Sequence, residues 1–399
     1  MKILIIHNQH RSGSASGDDK VFTEEAKLLA SKGHEITTYT IANDEYDSFS
    51  FKNKTKMIFK VVWSKEVYKK IRDIIEKKNP NVAHFHNIFP LISPSVYYAC
   101  SHAGVPVVQS LHDYRLLCPM AFFIRKSKIC DNCIKYGLWQ SILFRCLRDS
   151  LLQTGAAAAM VGIHRLLGTW RKKIDLFICL SDFERNKFLQ AGFSADKIVI
   201  KPNFLANPPE PNYTDKDYII YAGRLGEEKG LKTLLRAWKK SPKAKLKILG
   251  SGPYENKLKE ISATFQLNNV EFLGLQPHKQ CINLIRKARF LIMPSECYET
   301  FGLTIIEAFA CGKPVIASNL GAMAELVENG KTGLLFEPGN ADDLAEKLLF
   351  LWNNNSMAKN MGENARLEFE AKYTPERNYQ LLMGIYQKAI NNKKTRIIS

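Results

Sequence analysis

The stretch Glu299-Thr300-Phe301-Gly302-Leu303-Thr304-Ile305-Ile306-Glu307 decides how this chain is read. Two carboxylates eight positions apart bracket a glycine that opens an apolar run, just after a predicted strand at Phe290 to Met293. With helical residues between them, rising about 1.5 Å each, the two side chains lie roughly 12 Å apart along the axis. That is the scale of a nucleotide-sugar from hexose to ribose. Between them, the start of a helix offers backbone amides and the positive end of a dipole, both suited to a diphosphate. Spacing alone fits two solvated acids on a surface helix equally well, so the flanks decide.

Upstream stand Pro294-Ser295-Glu296-Cys297-Tyr298, and downstream Ala308-Phe309-Ala310-Cys311-Gly312-Lys313-Pro314-Val315-Ile316-Ala317. Over these two dozen residues the chain resembles the donor site of retaining GT-B glycosyltransferases, the large group that includes sucrose and glycogen synthases. The resemblance is to glycosyltransferase family 4 (glycosyl transferases group 1), in its bacterial surface-polysaccharide form, and extends over nearly the whole chain. It implies an α/β GT-B fold, two Rossmann-like doubly wound parallel-sheet domains facing a cleft. The implied reaction moves a hexose from a UDP- or GDP-sugar to a glycan or lipid-linked acceptor. No cofactor or catalytic metal is implied, the nucleotide-sugar being a co-substrate.

The bulk numbers agree with a large soluble enzyme. A chain of 399 residues exceeds one ordinary core and divides naturally into two domains. Hydrophobic residues at 45% and charged residues at 24% are globular proportions. No apolar run reaches the roughly 20 residues that span a bilayer. The opening Met1-Lys2-Ile3-Leu4-Ile5-Ile6-His7 is too short for a signal peptide and reads as a buried strand. Nine cysteines, an odd number, imply free thiols in a reducing compartment, so the expected location is the cytoplasm.

A net charge of +18 calls for an anionic partner. Nucleic acid is disfavoured, because no aromatic-studded basic strand or recognition helix accompanies the charge. Between Arg115 and Lys173, eleven Lys or Arg face only Asp131 and Asp149, a net of +9. Beside the apolar stretch Leu151 to Ile163, this suggests a surface that rests on an anionic membrane leaflet at its inner face. A helix packing Ala156 to Ala159 into the core, with the charges solvated, is the competing reading.

Apolar strand-like runs alternate with helical patterns, as in parallel α/β sheets. Strands are predicted at Ile3 to His7, Glu35 to Tyr39, Val82 to His86, Pro106 to Leu111, Leu176 to Leu180 and Ile198 to Lys201. A segment with Pro202, Pro208, Pro209 and Pro211 then reads as a linker. The second series is Tyr218 to Ala222, Lys245 to Leu249, Val270 to Leu273, Phe290 to Met293, Pro314 to Ser318 and Gly333 to Phe336. The expected division is an acceptor domain over residues 1–203 with a basic, Cys-containing insertion at about 115–173, and a donor domain over 204–374. By resemblance, residues 375–399 form a helix crossing back to the first domain.

Gly223-Arg224-Leu225-Gly226-Glu227-Glu228-Lys229-Gly230 follows the first strand of the second series. Glycines let a backbone approach a ligand; Arg grips phosphate bidentately and Lys adds a point charge. An ordinary turn with exposed bases is the bland alternative. By resemblance, Arg224 and Lys229 hold the diphosphate and stabilise the leaving group. Glu299 bonds sugar hydroxyls, the amides of Phe301, Gly302 and Leu303 face sugar or phosphate, and Glu307 takes the ribose diol. Neither acid is assigned as a nucleophile.

In the first half, Ser12-Gly13-Ser14-Ala15-Ser16-Gly17-Asp18-Asp19 follows strand one and looks like the Gly-rich loop that approaches the donor in relatives, with Gly17 the residue carried over. The chain departs from the usual paired glycines there. His84, His86 and His112 sit at predicted strand ends, where an imidazole can donate or accept near neutral pH. By resemblance His112 touches the transferred sugar, while His84 and His86 read as local hydrogen-bonders. Asp113 and Tyr114 follow as acceptor-side residues, with Asp113 either an acceptor-side base or a group that orients a neighbour. Cys118, Cys130, Cys133 and Cys146 could ligate a structural zinc, with buried free thiols as the alternative.

Two rival functions share the architecture: a non-catalytic nucleotide-sugar or glycan-binding subunit, and a nucleotide-sugar epimerase. A dinucleotide dehydrogenase is disfavoured, since no Gly-any-Gly-any-any-Gly turn follows strand one.

Overall fold

The computed structural model describes residues 1–10, 16–44, 59–126, 128–240 and 244–398. Ser12, Gly13, Ser14 and Ala15 of the expected Gly-rich loop lie outside the described residues. The chain forms two compact units: residues 1–123, 130–202 and 378–399 in one, 124–129 and 203–377 in the other.

The first unit holds β1 (Lys2–Gln9), β2 (Glu35–Ala42), β3 (Val82–Phe85), β4 (Val107–Ser110), β7 (Leu176–Cys179) and β8 (Ile198–Ile200); β5 (Ile124–Arg125) and β6 (Lys128–Ile129) make a small separate hairpin. The six strands run parallel in the order β2-β1-β3-β4-β7-β8. Strands covered on both faces read as continuous apolar runs, and every residue of β3, β4 and β7 is buried. Helix Lys65–Lys78 shows how flanking helices are cut: the Ser64 side chain caps its start, left-handed Asn79 ends it, and Val67, Ile71 and Ile75 bury one stripe.

The last helix, Pro375–Ile398, places Leu382, Ile385, Tyr386 and Ala389 in the same core as Ile3, Ile5, Phe22, Val82 and Val108. Burying a side chain of that size contributes about 1.5–3 kcal/mol. That stripe anchors the chain's end to the unit in which the chain begins.

The second unit holds β9 (Tyr218–Ala222), β10 (Lys245–Leu249), β11 (Val270–Gly274), β12 (Leu291–Met293), β13 (Val315–Ser318) and β14 (Gly333–Phe336). Again all are parallel, in the order β11-β10-β9-β12-β13-β14. Strand order reverses between β9 and β12 here, and between β1 and β3 in the first unit. In doubly wound sheets ligands bind beyond the carboxyl ends of the strands at that reversal. The loops after β9 and β12 are Gly223–Gly230 and the segment leading to Glu299, so topology alone brings these two sequence motifs together. This is the architecture of the GT-B fold.

One expectation needs correction. The helix after β12 spans Leu303–Ala310, and its cap Gly302 has φ of +127°, which a side chain rarely adopts. Residues 299–302 are therefore irregular, and the helical spacing from Glu299 to Glu307 holds only from Leu303 onward.

Candidate active site

In the second unit, glycines set the approach of three loops. A Cβ at Gly230 (φ +68°) would stand 1.8 Å from the Pro294 carbonyl oxygen, and one at Gly250 (φ +125°) 1.9 Å from that of Gly223. The loops after β9, β10 and β12 thus touch backbone to backbone. Their hydrogen bonds follow: Leu225 N donates to Ser251 O at 3.0 Å, and Glu296 N to Glu228 O at 2.8 Å. The Tyr221 hydroxyl donates to Arg224 O at 2.9 Å and holds the turn. Gly250 and Gly252 were not singled out in the sequence, although a glycine pair after a strand was a legible signal.

This convergence places the Lys229 ammonium 2.6 Å from Glu299 Oε1. The same oxygen accepts from Ser295 Oγ at 2.8 Å, with Cys297 Sγ at 3.8 Å. Burial opposes both charges, and the pairing more than offsets it: the Glu299 carboxyl is held below the usual range and the Lys229 ammonium above its own. Both side chains retain some exposure, 19% for Lys229 and 16% for Glu299. Arg224, half exposed, pairs with Glu228 in the same loop. Two cations and a carboxylate therefore line one small region beyond β9 and β12.

The helix Leu303–Ala310 starts beside them. Its first amides, those of Leu303 and Thr304, precede any turn that could accept from them. Phe301 is buried with its ring against Tyr373, fixing the segment before Gly302. Glu307 lies on the helix, largely buried, and accepts from or shares a proton with His278 Nε2 at 2.8 Å. His278, on the helix His278–Lys287, was not anticipated.

In the first unit, the β1–β3 reversal gathers four imidazoles. His112 Nε2 lies 2.9 Å from His86 Nδ1, with the rings stacked 5.1 Å apart. His86 Nε2 lies 3.4 Å from Glu25 Oε2, and Glu25 Oε1 accepts from the Lys201 ammonium at 2.5 Å. Lys201 also donates to Asn378 at 2.7 Å. His84 bridges the Tyr386 hydroxyl and Ser110 Oγ, each at 2.8 Å. Burial drives the His84 imidazole down to about 4 and that of His86 to about 3. Despite its burial, Glu25 stays ionised well below the usual range because Lys201 and the two histidines face it. His112 is likewise lowered, by burial and then by His86, although Asp18 pulls the other way.

His112 therefore sits neutral and positioned at the end of a Glu25–His86 relay. Asp18 and the helix Gly17–Ser31 stand close by: Ser16 caps that helix and donates to Asp18 at 2.6 Å, and Gly17 is its first residue. His84 and His86 do more than bond locally, since they tie β3 to the C-terminal helix and to His112. Glu25, His84 and His86 bring ligand atoms within 4.8 Å, as do His7, Asp18 and Asp19. The first set faces the Lys201 cation, and in the second His7 Nε2 already lies 2.6 Å from Asp19.

The acceptor-side expectations divide. Asp113 accepts from the Arg115 amide at 2.8 Å and lines a pocket with His86, His112, Arg115, Phe89 and Met160. Arg115 stacks 4.0 Å over the Phe89 ring. Tyr114 is placed otherwise: it is completely buried against Phe123, so it belongs to the core rather than to an acceptor surface.

The chain's likeness to known proteins can be set beside this geometry. Residues 16–205 match the family described as Glycosyltransferase Family 4, and residues 206–368 match Glycosyl transferases group 1. N-acetyl-alpha-D-glucosaminyl L-malate synthase of Bacillus anthracis is 24% identical over 96% of each chain. An uncharacterised glycosyltransferase of Methanocaldococcus jannaschii is 32% identical over 53% of this chain, a match spanning only 59% of that relative's own length. Among solved structures, Anabaena HepE in complex with UDP and glucose superposes with a TM-score of 0.68 at 19% identity, covering 97% of this chain and 100% of that one.

Proposed function

Since the chain belongs to the GT-B glycosyltransferases of family 4, we propose that it moves a hexose, with retention, from a UDP- or GDP-sugar to a glycan or lipid-linked acceptor of a bacterial surface polysaccharide. The observation carrying this reading is the meeting of Lys229, Glu299 and the helix start at Leu303 beyond the strand-order reversal.

In the donor complex, Lys229 and Arg224 turn to the diphosphate and neutralise charge as it leaves. Glu299, released from Lys229, accepts from sugar hydroxyls, and Glu307 accepts from the ribose diol. On the same reading His112 serves the transferred sugar as a neutral hydrogen-bonding group, Gly17 belongs to the loop that serves the donor, and Asp113 serves the acceptor. The two cations and helix amides supply the charge a metal would otherwise provide, so no divalent ion is needed for transfer. UDP in the HepE structure, named there with glucose, is in keeping with such a donor.

The proposed setting is a peripheral one at the cytoplasmic face of the membrane, and the insertion supports it. No helix among the described residues is long and apolar enough to cross a membrane. On the helix Leu151–Leu166, Ala156, Ala157 and Ala158 are buried, while Leu151, Leu152, Ile163 and Leu166 are exposed. The buried alanines fit the core-packing reading, and the exposed apolar side chains on the opposite face support the membrane reading. Exposed Tyr136, Trp139, Leu143 and Phe144 add to the outer face, interleaved with Arg145 and Arg148. Apolar side chains among cations suit the headgroup boundary of an anionic leaflet.

The test is incubation with UDP- and GDP-hexoses, with and without lipid-linked glycan acceptors. Acceptor-dependent release of the nucleoside diphosphate, with an α-linked product from an α-donor, is expected. Conversion of the donor alone to its epimer would overturn the reading, as would tight donor binding with no turnover on any acceptor.

A further inference from the structure

We propose that His278 is a positioning residue of the donor site, fixing the Glu307 carboxylate in the direction from which it receives the ribose hydroxyls of the nucleotide. The inference rests on the reading of Glu307 as the ribose acceptor, and it adds the residue through which that acid is aimed.

The two side chains meet from separate elements of the second unit. His278 is the first residue of the helix His278–Lys287, and Glu307 stands on the helix Leu303–Ala310. Their Nε2 and Oε1 atoms lie 2.8 Å apart. An ionised carboxylate only accepts, so the ring's Nε2 carries the hydrogen. The Glu307 side chain keeps 11% of its exposure, and that of His278 keeps 50%. A contact with one half-exposed partner adds little to stability. Its effect falls on direction instead, because the last torsion of a glutamate is a soft one that a fixed N–H can settle. Each carboxylate oxygen has two lone pairs, so a single ring N–H leaves acceptor capacity for a diol.

The ring is itself held in place. Strand β11 ends at Gly274, whose carbonyl accepts from Gly250 N at 2.9 Å and ties this end to the loop after β10. Gln276 Nε2 then donates to Leu273 O at 2.6 Å, and the amides of Gln280 and Cys281 donate to Pro277 O at 2.8 and 3.0 Å. Further along, the helix buries Ile285, and the Cys311 thiol reaches the Ile282 carbonyl at 3.8 Å, just past the helix that bears Glu307. Backbone contacts therefore deliver the imidazole to the acid. All six strands of this sheet are parallel, so the turn after β11 leaves from the same edge as the loops bearing Lys229 and Glu299. Ligands of doubly wound sheets bind along that edge.

The experiment is titration calorimetry of the full-length chain with UDP and GDP, each beside its 2′-deoxy and 3′-deoxy forms. The wild type should prefer the ribonucleotide over at least one deoxy form by about tenfold or more, the value of a hydrogen bond to a charged group. Glu307→Ala should abolish that preference. His278→Ala should cut it to about threefold or less, by weakening the ribonucleotide while the discriminated deoxy form binds as before. His278→Gln, whose amide can still donate to Oε1, should keep most of the preference. A helix-packing role alone would lower the unfolding temperature and leave the preference intact. Full preference retained in His278→Ala but lost in Glu307→Ala overturns the inference alone. No preference in the wild type, or one that survives Glu307→Ala, overturns the ribose reading of Glu307 and this inference with it.

Discussion

The ammonium of Lys229 and the carboxylate of Glu299 are each other's partner, 2.6 Å apart, across 70 residues of sequence. On the proposed function each group takes a separate task once a nucleotide-sugar is present: phosphate for the cation, hydroxyls for the acid. The pair is thus a resting arrangement that the donor replaces, and its two members should fail differently. Glu299→Ala frees Lys229, so UDP or GDP alone should bind as well as to the wild type or better, while sugar transfer falls by at least about 100-fold. Titration calorimetry with nucleotide, beside turnover, checks this. Equal losses of nucleotide affinity in Glu299→Ala and Lys229→Ala would contradict the division of roles.

The Gly230 backbone is the hinge of that arrangement. At φ of +68°, with the Pro294 carbonyl 1.8 Å from any added Cβ, Gly230→Ala must push the Lys229 loop from the β12 segment. A stability loss of about 1–3 kcal/mol is expected, with nucleotide affinity reduced alongside. Thermal unfolding and titration on the same sample test both; an unperturbed variant would mean the loops do not need this contact.

Acid should unfold the first unit through its histidines. His84 and His86 are neutral in the fold at about 4 and about 3, below the usual imidazole value near 6.5. Their contribution is therefore fully present above pH 6.5 and is lost progressively as pH falls from there toward the folded values. The cost is on the order of 2 kcal/mol per ring by pH 5. Glu25, also lowered, adds to the loss further down. Denaturant midpoints between pH 8 and 5 measure it, and a flat profile would contradict the burial of these rings as neutral groups.

The Glu25–Lys201 pair lies wholly out of solvent, and removing one partner leaves the other charge stranded. Lys201→Met should cost about 3–5 kcal/mol, whereas the double change with Glu25→Gln should recover much of it. A double-mutant cycle by chemical denaturation reads the coupling directly. Because Glu25 also faces His86, the single Glu25→Gln should lower kcat through misplaced His112 with little change in donor KM.

These particulars explain what could be read from residues alone. The strands were legible because each is a short apolar run between turn residues; Tyr218–Ala222, Lys245–Leu249 and Gly333–Phe336 fall where predicted. The donor loops were legible because Gly223, Arg224, Lys229, Gly230 and Glu299 sit in contiguous motifs with their own turn chemistry. The relay behind His112 was not, because its members come from distant segments. Glu25 meets Lys201 across 176 positions and His84 meets Tyr386 across 302, and no local pattern marks either partner. Tyr114 was misread for a related reason: its neighbours His112 and Asp113 remain partly exposed, but the turn through Ala121 folds its ring inward.

Nucleotide binding by the wild-type chain, beside Arg224→Ala and Lys229→Ala, bears most directly on the donor site. UDP or GDP should saturate one site per chain, with either variant weakening it by about 10- to 100-fold, the value of a lost charge-assisted contact. Wild-type affinity retained in both variants, or no diphosphate binding by the wild type, would contradict a site built on these two cations.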